Sequence, residues 1–320
     1  MEVHIGKIKL KNPIMAASGT FGYAKEFEGL TKLKDIGAVI TKTITLKPRP
    51  GNPMPRTCET PAGMLNAIGL QNEGVDNFIK EKMPYLSKIG TLIIVSISGD
   101  SIEEFCRVTE RLDEVKAVSG IELNISCPNI KSTRAPEHQS TSLISQDRDA
   151  TFKLVRKIKK ITDKTIITKL SPNVTDIVEI ARAAQDAGTD AVSLVNTFLG
   201  MAIDIHTKEP KLGNITGGLS GPCIKPIALR MVYEVSKNID IPVIGIGGIM
   251  NSDDAVEFMI AGATAIQVGT ANFIEPGACG KIIKGIEKYL RKHKIKKIED
   301  IRGALDLKSE TTLHSNIVRV

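Results

Sequence analysis

The sequence predicts an α/β fold, a (β/α)8 TIM barrel in a single domain over residues 1–320. Three observations lead there. Short apolar, β-branched runs recur along the chain. Most are continuous rather than alternating, as parallel strands buried on both faces should be. Stretches with helical periodicity separate them, and glycine or polar residues stand where each run ends.

The predicted strands cover residues 13–17, 38–41, 92–96, 121–125, 165–169, 191–195, 243–247 and 265–268. That count matches a (β/α)8 barrel. Helical periodicity predicts helices over 73–89, 102–118, 150–161, 176–187, 222–236 and 252–261. Asp176 and Ser252 stand near helix starts, where a side-chain oxygen satisfies free amides. Gly188 and Gly262 follow helices as left-handed caps. A doubly wound open sheet is the competing architecture, but no G-x-G-x-x-G run follows the first strand. Residues 1–11 suggest an N-terminal hairpin closing the barrel bottom. Two long segments, 44–72 and 130–149, have no secondary structure assigned. Segments of that kind are often functional lids, and 130–149 is expected to be an active-site loop.

Composition narrows the function classes. The chain is 42% hydrophobic and 4% aromatic, lacks Trp and carries a net charge of +7. The densest basic stretch, 281–297, alternates with Ile and Leu, which is an amphipathic helix with a solvated face. Aromatic residues are not interleaved with basic ones, so nucleic acid is not an expected partner. Five cysteines without a C-x-x-C pair argue against a disulfide framework or a cysteine metal cluster, and no metal site is expected. The absence of a long apolar stretch predicts no membrane span. A reduced, cytoplasmic setting is the expectation.

The strand ends carry the chemistry. Ser18 follows the first strand, Lys42 and Thr43 the second, and Ser96 ends the third. Asn124 and Cys127 mark the fourth in the run Asn124-Ile-Ser-Cys127-Pro-Asn129. Lys169 ends the fifth, and Val195, Asn196 and Thr197 close the sixth. A lysine at the end of an apolar strand is costly unless it meets an anion; the bland alternative is snorkelling to solvent. Gly247-Gly248 and Gly269-Thr270 follow the last two strands. There glycine lets backbone amides approach a phosphate, and this is the usual phosphate site of such barrels. Asn66 in the first long loop, with Asn124, Asn129 and Asn196, suggests amides converging on a polar ring.

Most of these residues sit in eight motifs: NPIMAASGTFG, TKTIT, MLNAIGLQN, NISCPN, KLSPNVTDI, NITGGLSGP, IPVIGIGGI and QVGTANF, spread from residue 12 to 273. Together they resemble the FMN-dependent dihydroorotate dehydrogenases. The cysteine and the NITGGLSGP run are similar to the NAD-linked (class 1B) subclass, whose catalytic subunit works with a second subunit carrying FAD and an iron–sulfur cluster. The resemblance implies oxidation of dihydroorotate to orotate in pyrimidine biosynthesis. It makes Cys127 the general base and FMN the hydride acceptor. It assigns Ser18, Lys42, Thr43, Ser96, Asn124, Lys169, Val195, Gly221, Gly247, Gly248, Gly269 and Thr270 to FMN. It assigns Lys42, Asn66, Ala67, Ile68, Gly69, Leu70, Asn124, Asn196 and Thr197 to the substrate. A homodimeric core or a heterotetramer is implied.

Two departures from the family pattern stand out. Ser96 occupies a place where the family usually has asparagine, and the segment after Asn129 lacks the usual glycine and looks longer. Readings that remain open are a fumarate-linked relative, a dihydropyrimidine reductase, an impaired flavin-binding scaffold, and a flavin-free lyase or isomerase.

Overall fold

The computed structural model describes residues 1–125 and 144–307. Along the chain the strands are β1 (Val3–Ile5), β2 (Ile8–Leu10), β3 (Ile14–Ala16), β4 (Ala38–Ile40), β5 (Thr57–Thr60) and β6 (Gly63–Asn66). Next come β7 (Leu92–Ile97), β8 (Val118–Asn124), β9 (Thr165–Lys169), β10 (Ala191–Leu194) and β11 (Phe198–Met201). The last are β12 (Ile203–Asp204), β13 (Glu209–Pro210), β14 (Thr216–Ser220), β15 (Val243–Ile246) and β16 (Ala265–Val268).

Eight of these strands close a parallel barrel in the order β3-β4-β7-β8-β9-β10-β15-β16. The strands are built mainly of Ile, Val, Leu and Ala because both their faces are covered, one by the barrel interior and one by helices. Ile14, Ile40, Ile94, Ile121, Ile167, Val192, Ile244 and Ile266 are all fully buried. The helices Ile102–Asp113, Arg148–Ile158, Ile177–Asp186, Lys225–Ser236, Ser252–Ile260 and Ala278–Lys292 supply the outer layer. The last buries Ile282, Ile283, Ile286 and Leu290 on one face, so its lysines face water.

The structure corrects several boundaries. The expected helix over 73–89 is interrupted: Val75–Asn77 passes into a π turn over Phe78–Lys82 before Met83–Leu86 resumes. Pro84 lies in that final turn, and its ring nitrogen has no proton for the regular ladder. The helix expected to reach 118 stops at Asp113, because Val118 already pairs with Ile93 in the barrel. Asn251, not Ser252, caps its helix. Its side chain accepts from the amides of Asp253 and Asp254, and the Asp254 carboxylate returns a bond to the Asn251 amide. Asp176 does cap its helix, and Gly188 and Gly262 take φ values of +96° and +123°.

β1 and β2 form an antiparallel hairpin. Its turn donates from the Lys7 amide to Thr165 Oγ1, at the first residue of β9, at 3.0 Å. The hairpin therefore lies at the end of the barrel where the strands begin.

The opposite end carries the largest departure from expectation. The 44–72 segment is not structureless. Pro61 and Ala62 turn β5 back on β6, with Thr60 paired to Gly63; proline suits the first corner because its φ is already fixed. This hairpin joins β14 and β11 in a four-stranded antiparallel sheet, order β11-β14-β6-β5. Leu65, Ala67 and Leu212 form a small core of its own. Half of the sheet thus comes from the loop after β4, and half from the segment after β10.

Candidate active site

At the C-terminal ends of the barrel strands lies a cavity of about 320 Å³. The barrel forms its floor, and the antiparallel sheet forms one wall. Ser18, Lys42, Thr43, Asn124 and Lys169 line it from the ends of β3, β4, β8 and β9. Val195, Asn196 and Thr197 continue the ring past β10, and Gly247, Gly248, Gly269 and Thr270 close it past β15 and β16. Asn66, Ile68, Gly69 and Leu70 reach in from β6 and the turn behind it, with Gly221 opposite.

Two of the sequence-predicted residues do not line it. Ser96 is fully buried. Its hydroxyl meets Thr43 Oγ1 at 2.9 Å, and Thr43 stands between it and the cavity. Ala67 is fully buried in the small core beneath the sheet. Its amide donates to Arg56 O at 2.7 Å. Cys127 and Asn129 lie outside the described residues, as does 130–143 of the expected active-site loop. The described end of that loop is held: Gln146 Nε2 donates to Asn173 O at 2.9 Å.

The amides are tied to one another. Asn124 Nδ2 donates to Thr43 Oγ1 at 3.0 Å, and Asn196 Nδ2 to Asn124 Oδ1 at 3.4 Å. Asn66 Nδ2 donates to Gly218 O across the mouth sheet at 3.4 Å. The turn that carries Ile68 to Leu70 is knotted by Asn72, whose Nδ2 donates to Leu70 O at 2.7 Å and whose Oδ1 accepts from the Thr45 and Gly74 amides. Such ties fix side-chain orientation before any ligand arrives.

The two lysines differ. Lys42 is half-buried, and its amide donates to Gly22 O at 2.8 Å. Burial pushes its ammonium below the ordinary lysine range; the Glu26 carboxylate opposes this, the Arg56 charge adds to it, and Glu73 opposes it. Lys169 is 5% exposed. Its Nζ lies 3.7 Å from Glu122 Oε1 and donates to Ser18 Oγ at 3.3 Å. Loss of one partner from a buried ion pair typically costs about 3–5 kcal/mol, so this lysine is held where it is.

The Gly247-Gly248 loop leaves no room for side chains, whereas Gly269 has ordinary contacts. A Cβ on Gly248 would come within 2.8 Å of Lys225 N and 2.9 Å of Gly221 O, and its φ is +70°. Gly221 and Gly248 therefore pack against backbone beside the cavity, while Gly247 packs against the side chains of Ala228, Ile224 and Val195. Thr270 Oγ1 donates to Ser220 Oγ at 2.9 Å, which joins the last barrel loop to β14. The set offers backbone amides and a hydroxyl at one end, and lysines with carboxamides at the other. That suits an elongated ligand with a phosphate tail and a polar ring.

Sequence reasoning missed Glu122 and Gln267, which lie fully buried inside the barrel. Their signal is one polar residue within an apolar run, Ile121-Glu122-Leu123 and Ile266-Gln267-Val268. It also missed the wall residues Thr57, Met64 and Ser220, because the mouth sheet itself was not foreseen.

Comparison with known proteins gives a consistent result. A family model described as Dihydroorotate dehydrogenase matches residues 1–290. A protein of Citrifermentans bemidjiense named dihydroorotate dehydrogenase B (NAD(+)), catalytic subunit, is 54% identical over 307 residues, covering 96% of this chain and 98% of its own. A Bacteroides thetaiotaomicron protein of the same name is 51% identical over 307 residues, with 96% and 99% covered. Among solved structures, Eimeria tenella DHODH in complex with ferulenol superposes with a TM-score of 0.78 at 21% identity, covering 95% of this chain and 88% of that one. The last likeness concerns the fold.

Proposed function

This chain belongs to the dihydroorotate dehydrogenase family, and from that premise we propose that it oxidises dihydroorotate to orotate in pyrimidine biosynthesis as the catalytic subunit of an NAD-linked enzyme. The observation that carries the reading is the meeting of two lysines, three asparagines and two glycine loops around one cavity. The family is flavin-dependent in general, and the residues present fit FMN. Close-packed Gly221, Gly247 and Gly248 suit a backbone cradle, and the nearly buried Lys169 lines the same cavity.

FMN, when bound, supplies a two-electron acceptor for the hydride that leaves the substrate. Gly221, Gly247, Gly248, Gly269 and Thr270 hold its phosphate end. Ser18, Thr43, Asn124, Lys169 and Val195 hold its ring end, with Lys42 shared between cofactor and substrate. Lys169 offers positive charge where negative charge accumulates on reduction. Lys42 pairs with the substrate carboxylate. Asn66, Asn124, Asn196, Thr197 and the backbone of Ile68 to Leu70 orient the ring. Ser96 acts behind Thr43 rather than on the ligand.

Cys127 is assigned as the base that takes the proton from carbon 5 of dihydroorotate. A free thiol has a pKa of about 8.5, close enough to neutrality for that task. The whole of 1–320 serves as one FMN-binding barrel domain. The relatives' names specify a catalytic subunit; we assign the partner an FAD and an iron–sulfur cluster, in a heterotetramer around a homodimeric core. Among the described residues, no helix is long and apolar enough to cross a membrane. Cys58, Cys106, Cys223 and Cys279 are free thiols, which supports a cytoplasmic assignment.

Anaerobic titration with dihydroorotate tests the reading. The purified protein is expected to show a flavin spectrum that bleaches on addition of dihydroorotate. Cys127→Ala is expected to keep its flavin and to lose most of the rate of bleaching, by about 10²-fold or more. A colourless protein, or a flavin that dihydroorotate leaves oxidised, would refute the function. Normal bleaching in the variant would remove only the role of Cys127.

A further inference from the structure

One charged side chain enters the barrel interior beneath the cavity and has no place in the reading above. Glu122, on β8, is fully buried. Its Oε2 accepts from Gln267 Nε2 at 2.7 Å and from Ser193 Oγ at 3.1 Å. Its Oε1 accepts from Ser18 Oγ at 3.4 Å and lies 3.7 Å from Lys169 Nζ. The cluster draws on β8, β9, β10 and β16 and on Ser18, two residues past β3. Every hydrogen-bond partner of the carboxylate donates to it, so both Glu122 oxygens act as acceptors. The Gln267 amide is committed to it as well: Nε2 faces Glu122, and Gln267 Oε1 has no hydrogen-bond partner among the described residues.

Of these groups, Ser18 and Lys169 line the cavity, whereas Glu122, Ser193 and Gln267 lie beneath it. The arrangement is a buried dipole with its positive end turned to the ligand. Charge–charge interactions in a site shielded from water are weakly screened, so the carboxylate contributes to the potential that a bound ligand feels. Resting on the flavoprotein reading, we propose that Glu122 is a positioning residue that fixes Lys169 against the cavity and offsets part of its charge. It thereby holds the flavin reduction potential below the value that Lys169 alone sets. A catalytic subunit that must pass two electrons onward needs this moderation. An uncompensated lysine stabilises the reduced flavin and slows its reoxidation.

The test is the midpoint potential of the flavin-loaded protein, measured by equilibration with a reference dye. Glu122→Gln keeps the shape and removes the charge. Its potential is expected to rise, with about a tenfold change in the ratio of oxidised to reduced flavin at fixed potential, or about 30 mV for a two-electron couple. Ser193→Ala removes a neutral donor from the same carboxylate and is expected to leave the potential unchanged, which separates charge from general disturbance of packing. If Glu122→Gln does not fold, Glu122→Asp withdraws the carboxylate by one methylene, and a smaller rise is expected. A potential that is unchanged or lower in the folded Glu122 variant overturns the proposal, and so does an equal rise in Ser193→Ala. The wild type separates the two levels. Without bound flavin the flavoprotein reading fails and takes this proposal with it; with flavin and no rise, only the proposal fails.

Discussion

Lys42 illustrates how a single residue couples fold to pH. Burial holds its ammonium below the ordinary lysine value, and the first force against that shift is the charge of Glu26. A lowered pKa means that the positive charge is lost at a lower pH than the usual value of about 10.4. Glu26→Gln removes a charge that favours the ammonium, so Lys42 loses its proton at a still lower pH. Orotate is an anion, and its affinity is expected to decline on the alkaline side in the wild type and to begin declining earlier in Glu26→Gln. Orotate dissociation constants measured across the alkaline range in both proteins check this, and superimposable profiles would count against Lys42 as the carboxylate partner. Lys42 and Lys169 were legible in the sequence because a lysine at the end of an apolar run demands an anion. Ala67 stands off the cavity because it packs into the small core of the mouth sheet, and Ser96 does so for a geometric reason. Which strand-end side chain faces the cavity, and which sits behind a neighbour, depends on how the barrel strands stagger. The sequence of one strand does not encode that.

Among elements, the barrel strands were readable and the mouth sheet was not. Strands buried on both faces announce themselves as continuous apolar runs. β5, β6, β11 and β14 are half-exposed, short and rich in Gly, Thr and Ser, and the two local pairs are joined only by β6 and β14 across a long separation in the chain. The Asn251 cap was assigned one residue late because serine and asparagine stand side by side and both suit that position. The mouth sheet bears directly on the site through Gly218. A Cβ there would come within 2.6 Å of Thr197 Cβ and 2.0 Å of Thr197 Oγ1. Thr197 lines the cavity, so Gly218→Ala must displace a cavity-lining residue. A displacement of about 1 Å can cost about 10²-fold in rate. We expect kcat/KM for dihydroorotate to fall by up to that factor in Gly218→Ala, with flavin content as the control for folding. Unchanged kinetics would place the substrate away from Thr197.

At the scale of the whole molecule, the sequence shows no G-x-G-x-x-G run for a dinucleotide, and the relatives are named as catalytic subunits. Purified alone, the chain is expected to pass electrons from dihydroorotate to an artificial dye. NADH formation is expected only when a partner subunit copurifies or is added back. Steady NADH production by the chain alone would contradict the subunit assignment. The mouth of the barrel also has a consequence in time. β6 pairs with β14, and Asn66 bonds to Gly218 O, 152 residues further along the chain. A ribosome delivers these partners in order. While the first half of the barrel is already outside the exit tunnel, the hairpin of β5 and β6 waits without its neighbours. The sheet wall of the cavity comes into being only after Ser220 has emerged, and the glycine loops after β15 and β16 emerge later still. Ligand binding is therefore a property that the nascent chain gains late, once Thr270 has emerged.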